Sequence, residues 1–277
     1  MARRVRAAGF PVVACAHRKR ESLERLKTQG VTEAADPAGV AAAAGVIVTC
    51  VPDAPQVEEA LFAAGGAVAG ARPGTLFIDM STVSPVASKS FAARLSTLGH
   101  AFLDAPVSGG AARANDGTLT IMVGADARDF ERARPVLSQM GTPHHLGPVG
   151  MGETVKLVNQ LIIANVMVAN VEALSFAIAA GADIGEVRKV ISTATGANYL
   201  LENWLPKTWF AGTFEGGFAM DLLRKDVAAA LDAARSMKVS MPASALAYQL
   251  YTLQSAEGDG ARDYSAIARF YERIDRE

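Results

Sequence analysis

The segment Gly147-Pro-Val-Gly-Met-Gly-Glu-Thr-Val-Lys156 divides the 277-residue chain into two parts with different patterns. Before it, short runs rich in β-branched residues alternate with amphipathic helical patterns, which is typical of β-α-β units and a parallel sheet. After it, only helical patterns follow. The sequence therefore predicts an α/β domain over residues 1–149 and an all-helical domain over residues 150–277.

The first part has the pattern of a doubly wound parallel sheet of the Rossmann type. Its clearest helix is predicted at residues 84–98, where Ser84 can cap the N-terminus, Pro85 suits the first helical position and Gly99 suits the C-terminal end. The predicted strands are residues 11–16, 46–51, 76–80, 101–103 and 119–123, and the other predicted helices include residues 2–8, 22–28 and 57–63.

The chain opens inside such a pattern, because a helix predicted to end at Gly9 is followed at once by a strand. The first strand of a Rossmann-type domain and its G-x-G-x-x-G turn, which binds a pyrophosphate, have no counterpart here. That strand is central in the order 3-2-1-4-5-6, so we expect strands 2 and 4 to lack their shared neighbour. Three explanations stay open: a start assigned too late in a longer natural protein, which we favour, a lost nucleotide site, or an α/β domain that never had the turn.

A basic turn, His17-Arg-Lys-Arg20, follows the first predicted strand. An acidic residue at this place normally binds the ribose hydroxyls of NAD, and none is present. Three cations at the start of a helix oppose its dipole, and a bound 2′-phosphate would offset that unfavourable interaction. The turn therefore favours NADP as cofactor, with NAD as the alternative and Arg18 as the candidate ligand. A solvated basic surface turn is the other interpretation.

The composition excludes several classes of protein. A net charge of -1 with 50% hydrophobic residues indicates a globular protein without a general affinity for nucleic acid or membrane surfaces. Cys15 and Cys50 are too few for a disulfide framework and lack metal-ligand spacing, so we expect a reducing cytoplasm and no metal. The N-terminal residues lack the apolar core of a secretory signal.

Residues 157–181 form the most apolar stretch of the chain. Polar residues such as Asn165 and Asn170 interrupt it before it reaches the length of a membrane span. We therefore expect a long buried helix. Because so much apolar surface must be covered by other helices, we also expect a homodimer or homotetramer.

Two clusters of residues suggest a site for a small anion. Lys156, Asn159 and Gln160 are spaced to share one helix face, so they present a cation and two amides together; a lysine whose ammonium reaches the solvent is the alternative. The second cluster, Ser108-Gly-Gly110, follows a strand and supplies exposed N–H groups and a hydroxyl, which suits a carboxylate. A purely structural glycine turn is the alternative there.

Four segments together resemble the β-hydroxyacid dehydrogenase family, which includes 3-hydroxyisobutyrate dehydrogenase, tartronate semialdehyde reductase and glyoxylate/succinic semialdehyde reductases. The resemblance covers nearly the whole chain. Imine reductases share the architecture but usually lack the lysine, and 6-phosphogluconate dehydrogenases have a much longer helical domain. The segments are Phe77-Ile-Asp-Met-Ser-Thr-Val-Ser-Pro85, Asp104-Ala-Pro-Val-Ser-Gly-Gly110 continuing to Asp116-Gly-Thr-Leu119, Gly150-Met-Gly-Glu-Thr-Val-Lys-Leu-Val-Asn-Gln160, and Phe218-Ala-Met-Asp-Leu-Leu-Arg-Lys-Asp226.

The resemblance implies a role for each of these segments. Lys156 would be the general acid that protonates the substrate carbonyl oxygen, and the base in the reverse direction. Many family members have a second Asn at the position of Gln160, which leaves the substrate geometry open there. The implied substrate-binding residues are Ser108, Gly109, Gly110, Asn159, Gln160, Phe218 and Asp226. The implied cofactor-binding residues are Val51, Pro52, Thr82 and Lys225. The basic turn adds Arg18 to this set.

Two of these assignments have ordinary structural alternatives. Phe218 can equally pack in the core, and Val51 and Pro52 can equally be a plain strand exit. The function predicted overall is an NAD(P)-dependent oxidoreductase that interconverts a small 3-hydroxy acid and its 3-oxo acid or semialdehyde. The alternative is a non-catalytic binding or scaffold homologue with an impaired cofactor site.

Overall fold

The computed structural model describes residues 1–16, 20–215 and 217–274. The chain divides into two compact units, Met1–Lys156 and Leu157–Glu277. This division lies inside the long helix rather than before it, so the first turns of that helix belong to the first unit. The domain limits expected from the sequence, 1–149 and 150–277, stay a prediction.

The first unit alternates strands and helices, as the sequence predicts. Its strands are β1 (Val13–Ala14), β2 (Thr32–Glu33), β3 (Val46–Thr49), β4 (Leu76–Asp79), β5 (Ala101–Asp104), β6 (Val107–Ser108), β7 (Leu119–Val123) and β8 (Gly141–His145). Its helices are α1 (Ala2–Ala7), α2 (Glu21–Lys27), α3 (Pro37–Ala43), α4 (Ala54–Phe62), α5 (Ala67–Gly70), α6 (Pro85–Thr97), α7 (Gly110–Asp116) and α8 (Ala127–Leu137).

Parallel pairing dominates the sheets of this unit, and the α/β fold class is confirmed. Strands β3, β4 and β5 pair in parallel, as do β1 with β2 and β7 with β8, whereas β6 pairs antiparallel with β7. The sequence did not predict β2, β6 or β8. Strands β2 and β6 have two residues each, and β8 (Gly-Thr-Pro-His-His) contains a proline and no β-branched apolar residue.

Strands β1 and β3 lie in different sheets within the described residues. The sheet β1-β2 is separate from the sheet β3-β4-β5. In the numbering of a complete Rossmann-type sheet these are strands 2 and 4, which the sequence predicts to lack a common neighbour.

Helix α6 illustrates how local sequence and packing agree. The Ser84 side chain accepts a hydrogen bond from the backbone N–H of Ala87 at 3.1 Å, and Pro85 is the first helical residue. The helix buries Phe91 and Leu95 in a core that also contains Phe102 of β5. This packing fixes α6 against the sheet whose carboxyl ends carry the candidate site residues.

The second unit is helical, and its core is formed largely by the long helix α9 (Met151–Ala179), which starts in the first unit. Met167 and Val171 of α9 pack in a buried cluster with Leu223 and Tyr251. The other elements are α10 (Ile184–Ile191), a π-helical turn at Leu200–Trp204, a 3₁₀ turn at Leu205–Lys207, α11 (Met220–Ser236), α12 (Pro242–Gln254), a π-helical turn at Ser255–Asp259, a 3₁₀ turn at Tyr264–Ile267 and α13 (Ala268–Ile274).

Helix α9 is long and apolar enough to cross a membrane by length and composition alone. Its most apolar 18-residue window has a mean hydropathy of 1.9, and 33% of that window is buried inside the molecule. Core helices of soluble proteins pass the same test, so one such helix is weak evidence for a membrane span. The expectation of a largely buried helix is met on one face only, since Ile162 and Phe176 are exposed.

Candidate active site

The side chain of Asp104 joins the end of β5 to the start of α9. Its carboxylate accepts hydrogen bonds from the backbone N–H groups of Gly150 (2.7 Å) and Glu153 (2.8 Å). Burial raises the pKa of Asp104 to about 6, although these two N–H groups favour the ionised form. The first turn of α9 is thereby held on the strand that precedes Ser108.

Two glycines allow the backbone to approach this carboxylate closely. A Cβ atom at Gly124 would lie 2.5 Å from Oδ1 of Asp104, and one at Gly152 would lie 2.3 Å from the carbonyl oxygen of Met122. Neither distance is compatible with a side chain, so the junction between β5, β7 and α9 requires glycine at both positions.

Lys156 follows Glu153 on α9 at a spacing that places the two residues on one helix face. Only 7% of the Lys156 surface is exposed, and Glu153 is fully buried. A lysine with an ammonium group extended into solvent would be more exposed, so the burial disfavours that interpretation. The structure therefore places a buried amine within one turn of the Asp104 junction.

The segment that follows Asp104 leads into the Ser108-Gly-Gly110 turn. Ser108 ends β6 and pairs with Thr120 of β7, and it is half-buried. Gly109 has φ 130° and Gly110 has φ 65°, both in the region that favours glycine. Asp104 thus lies between the turn proposed to bind a carboxylate and the helix that carries Lys156.

The carboxyl ends of β3 and β4 form the edge where cofactor contacts are expected. The backbone N–H of Val51 donates to Oγ of buried Ser81 at 2.9 Å. Thr49 Oγ1 donates to Oδ1 of Asp79 at 2.8 Å, which connects the two strands again. Thr82 is half-buried next to Ser81, and Pro52 is exposed next to Val51.

The basic turn is described only in part. Arg18 lies outside the described residues, and so do His17 and Lys19. Arg20 is exposed and forms ion pairs with Glu33 and, at 3.3 Å, with Glu24. Two carboxylates therefore compete with any phosphate for the Arg20 guanidinium.

In the second unit, α9 and α11 are linked by a chain of polar side chains. Nδ2 of Asn159 donates to Oε1 of Gln160 at 2.9 Å, and Nε2 of Gln160 donates to Oδ2 of Asp226 at 2.7 Å. Nζ of Lys225 lies 2.8 Å from Oδ1 of Asp226. Gln160 and Asp226 are buried, whereas Asn159 and Lys225 are partly exposed.

Phe218 lies on a loop that Asp263 holds in place. The carboxylate of Asp263 accepts hydrogen bonds from the backbone N–H of Phe218 (2.9 Å) and from Nε1 of Trp204 (3.0 Å). The Phe218 ring packs edge-on against Tyr264 and borders the core of the second unit. This contact agrees with the core-packing interpretation, and its role beside a substrate stays a prediction.

The chain matches two family models that together cover most of its length. Residues 1–163 match the NAD binding domain of 6-phosphogluconate dehydrogenase, and residues 150–271 match the NAD-binding domain of NADP-dependent 3-hydroxyisobutyrate dehydrogenase. A 2-(hydroxymethyl)glutarate dehydrogenase from Eubacterium barkeri is 38% identical over 89% of this chain and 82% of its own length. The chain belongs to the β-hydroxyacid dehydrogenase family.

Two further relatives agree with this family assignment. The 2-hydroxy-3-oxopropionate reductase of Escherichia coli is 37% identical over 90% of this chain and 85% of its own length. The 3-hydroxyisobutyrate dehydrogenase of Mycobacterium tuberculosis, solved with L-serine, superposes with a TM-score of 0.88 at 30% identity, covering 97% of this chain and 93% of that one. This β-hydroxyacid dehydrogenase is accordingly an NAD(P)-dependent oxidoreductase of hydroxy acids.

The carboxyl ends of β3 and β4 carry backbone N–H and hydroxyl groups, which are of the kind that bind a nicotinamide dinucleotide. The hydrogen bond from Val51 to Ser81 joins the ends of these two neighbouring parallel strands, at the edge where such folds bind nucleotides. Within the described residues, no group of three or more His, Cys, Asp or Glu side chains is arranged to hold a metal ion.

Sequence reasoning missed three residues that hold individual candidate residues in place. The motif segments contain Asp104 and Ser81 without indicating their partners, although a carboxylate at the end of a buried strand is a detectable signal. Ser81 and Asp263 have no comparable signal, because their partners Val51 and Phe218 are distant in sequence. Tertiary contacts alone reveal them.

Proposed function

We propose that this dehydrogenase uses NADP to interconvert a small 3-hydroxy acid and its 3-oxo acid or semialdehyde, with Lys156 as the general acid and base. The observation that carries the proposal is the buried Lys156, on a helix whose first turn is held by Asp104 on the strand preceding the Ser108 turn. Because these contacts connect the start of the helix to the strand, they support a shared role for Lys156 and the Ser108 turn.

Lys156 would act on the oxygen of the reacting carbon. The ammonium form of a buried lysine can donate a proton to an alkoxide that develops from a carbonyl, and the neutral amine can remove the proton from the alcohol in the reverse direction. The bound cofactor supplies or accepts the hydride at the carbon atom. The low exposure of Lys156 excludes water that would weaken its interaction with the developing charge.

The Ser108-Gly-Gly110 turn would bind the substrate carboxylate. The Ser108 hydroxyl can donate a hydrogen bond, and the left-handed backbone at Gly109 and Gly110 is compatible with N–H groups that converge on an anion. A substrate held by its carboxylate has its 3-position at a defined distance from the turn. The names of the relatives, which act on 2-(hydroxymethyl)glutarate and 2-hydroxy-3-oxopropionate, support acids of this class.

The proton-transfer assignment is tested by replacing Lys156 with Met, which keeps the length of the side chain but removes the amine. We expect kcat to fall by roughly 10²- to 10⁴-fold, because general acid catalysis contributes about that factor. Cofactor affinity should stay near its original value. Turnover is measured on 3-hydroxyisobutyrate, 2-hydroxy-3-oxopropionate and 2-(hydroxymethyl)glutarate.

The matched control is Lys189→Met, which removes an amine that is exposed on α10 and paired with Glu186. Its turnover should equal that of the original protein. If Lys156→Met retained turnover on every acid that the original protein accepts, the role of Lys156 would be wrong.

The preference for NADP is tested by the change Arg18→Ala. Loss of a charge-assisted hydrogen bond should weaken NADPH binding roughly tenfold or more and leave NADH binding unchanged. Fluorescence titration measures both, and Arg25→Ala on the exposed surface of α2 is the control. Tighter binding of NADH than of NADPH by the original protein would contradict the preference.

A further inference from the structure

The hydrogen bonds that link Asn159, Gln160 and Asp226 between α9 and α11 all run from donor to acceptor toward Asp226. Gln160 uses its amide oxygen toward Asn159 (2.9 Å) and its amide nitrogen toward Asp226 (2.7 Å). If the Gln160 amide were turned over, its oxygen would face the carboxylate of Asp226, and two acceptors would meet. The carboxylate therefore determines which end of the Gln160 amide faces each neighbour.

The orientation of the Gln160 amide in turn determines the orientation of the Asn159 amide. Because Oε1 of Gln160 can only accept, Asn159 must present its Nδ2 to it, as observed at 2.9 Å. The same bond determines where the Asn159 amide oxygen lies relative to the helix. Asn159 is half-buried, so a small molecule can contact it, whereas Gln160 is 1% exposed.

Lys225 offsets the unfavourable burial of the Asp226 carboxylate. Asp226 is 2% exposed, and a buried carboxylate without a cation is strongly unfavourable. Nζ of Lys225 lies 2.8 Å from the oxygen that does not receive the Gln160 bond. One oxygen of Asp226 thus pairs with the Lys225 ammonium, and the other orients the Gln160 amide.

We propose that Gln160 and Asp226 are positioning residues, which do not bind the substrate themselves but fix the Asn159 amide so that its oxygen accepts a hydrogen bond from a substrate hydroxyl. This inference rests on the proposed function, since it takes Asn159 to lie at the substrate. It also revises the substrate-binding role that the sequence suggested for Gln160 and Asp226. Both side chains are buried, and they are hydrogen-bonded to each other.

Exchanging the Gln160 amide and the Asp226 carboxylate tests whether the direction of these hydrogen bonds matters. Asp226→Asn replaces a group that only accepts with an amide whose NH₂ can face Gln160, and Gln160→Glu places two carboxylates side by side. Each single change should therefore raise KM for the hydroxy acid by roughly 3- to 10-fold. In the double variant Gln160→Glu with Asp226→Asn, the donor and acceptor are exchanged, and the new carboxylate still accepts from Asn159. We expect KM to return to within about twofold of the original value.

A cycle with Asn159→Ala separates positioning from direct contact. If Asp226 acts through Asn159, then Asp226→Asn should change KM by less than about twofold once Asn159 is Ala. Full additivity of the two changes, or an original KM in Asp226→Asn, would overturn the proposal. Asn165→Ala, on the same helix but bonded to Ser244, is the control: it should lower the thermal stability and leave KM unchanged.

A measurement that does not depend on turnover completes the test. With ¹⁵N-labelled Gln, the side-chain NH₂ of Gln160 should be protected from solvent exchange in the original protein and lose that protection in Asp226→Asn. Unchanged protection in this variant would overturn the proposal. Failure of the Lys156 assignment would leave this protection unaffected, so the two failures are distinguishable.

Discussion

Asp104 is a carboxylic acid in a place without solvent, and its environment acts on it in two opposing ways. Burial and the neighbouring carboxylate of Asp79 disfavour the ionised form, while two backbone N–H groups favour it. Burial is the larger effect, and the pKa rises from 3.8 to about 6. The acid at the centre of the junction therefore changes its charge in weakly acidic solution.

This raised pKa predicts a specific pH dependence of stability. Because the folded protein holds the Asp104 proton more tightly than the unfolded chain does, its contribution to stability is complete below about pH 4 and is lost as the pH rises through about 6. The change Asp104→Asn removes this contribution. Its destabilising effect should therefore be larger at pH 4 than at pH 7, by an amount on the order of 2–3 kcal/mol.

Urea unfolding of both proteins at several pH values between 4 and 8 measures this difference. Asp232→Asn, which removes an exposed carboxylate paired with Arg235, controls for the lost negative charge. Parallel pH profiles for the original protein and Asp104→Asn would show that burial does not perturb this acid as described.

The start of α9 is the element on which the site depends. Its first turn passes so close to β5 and β7 that Gly152 has no space for a methyl group, since a Cβ atom would lie 2.8 Å from Oδ2 of Asp104. Helix propensity alone favours Ala over Gly by about 1 kcal/mol. Here the close approach of backbone and carboxylate decides, and glycine is required inside a helix.

We therefore expect Gly152→Ala to destabilise the protein by about 1–3 kcal/mol, although it improves the local helix propensity. It should also lower kcat, because displacement of the first turn moves Lys156 relative to the Ser108 turn. Thermal unfolding and steady-state kinetics measure the two effects.

The control is Gly45→Ala, where a Cβ atom would have no neighbour within 4 Å. This change should leave both stability and kcat close to their original values. A Gly152→Ala protein with original stability would mean that β7 can move away without consequence.

At the scale of the whole molecule, α9 exposes an apolar stripe along one face. The stripe consists of Val155 (36% exposed), Val158 (48%), Ile162 (57%) and Phe176 (77%). Successive members are three, four and fourteen residues apart, which keeps them on one face of the helix. Exposed apolar side chains that share one helix face are typical of surfaces that bind another protein chain. We propose that a second copy of the chain covers it, as a homodimer or within a homotetramer.

The double change Ile162→Glu with Phe176→Glu should prevent this association. Two charges cannot be buried in an apolar interface without large unfavourable desolvation. The original protein should sediment as a dimer or tetramer and the variant as a species of 28.9 kDa. Sedimentation velocity at micromolar concentration distinguishes these species.

The control for this experiment is Val86→Glu, at a position of α6 that is 67% exposed and lies outside the stripe. Its assembly should be unchanged. A monomeric original protein would contradict the proposed association, and so would an assembled double variant.

Local patterns in the sequence determined most of the elements. The alternation of strands and helices, the Ser84 cap of α6 and the length of α9 follow from residues close together in the chain, so they could be predicted. The spacing of Lys156, Asn159 and Gln160 on one helix also follows from local geometry. The short strands β2 and β6 exist only through their partners and could not be predicted.

Only the tertiary structure determined the hydrogen-bond partners and the charge states of these residues. Asp104 meets Gly150 and Glu153 across 46 and 49 residues of sequence, and Gln160 meets Asp226 across 66. A buried carboxylate acquires its pKa and its hydrogen-bond direction from such distant groups, because desolvation and donors are properties of the folded surroundings. The sequence by itself supplied the reactive side chains, whereas the fold determined which of them bind, which position and which carry charge.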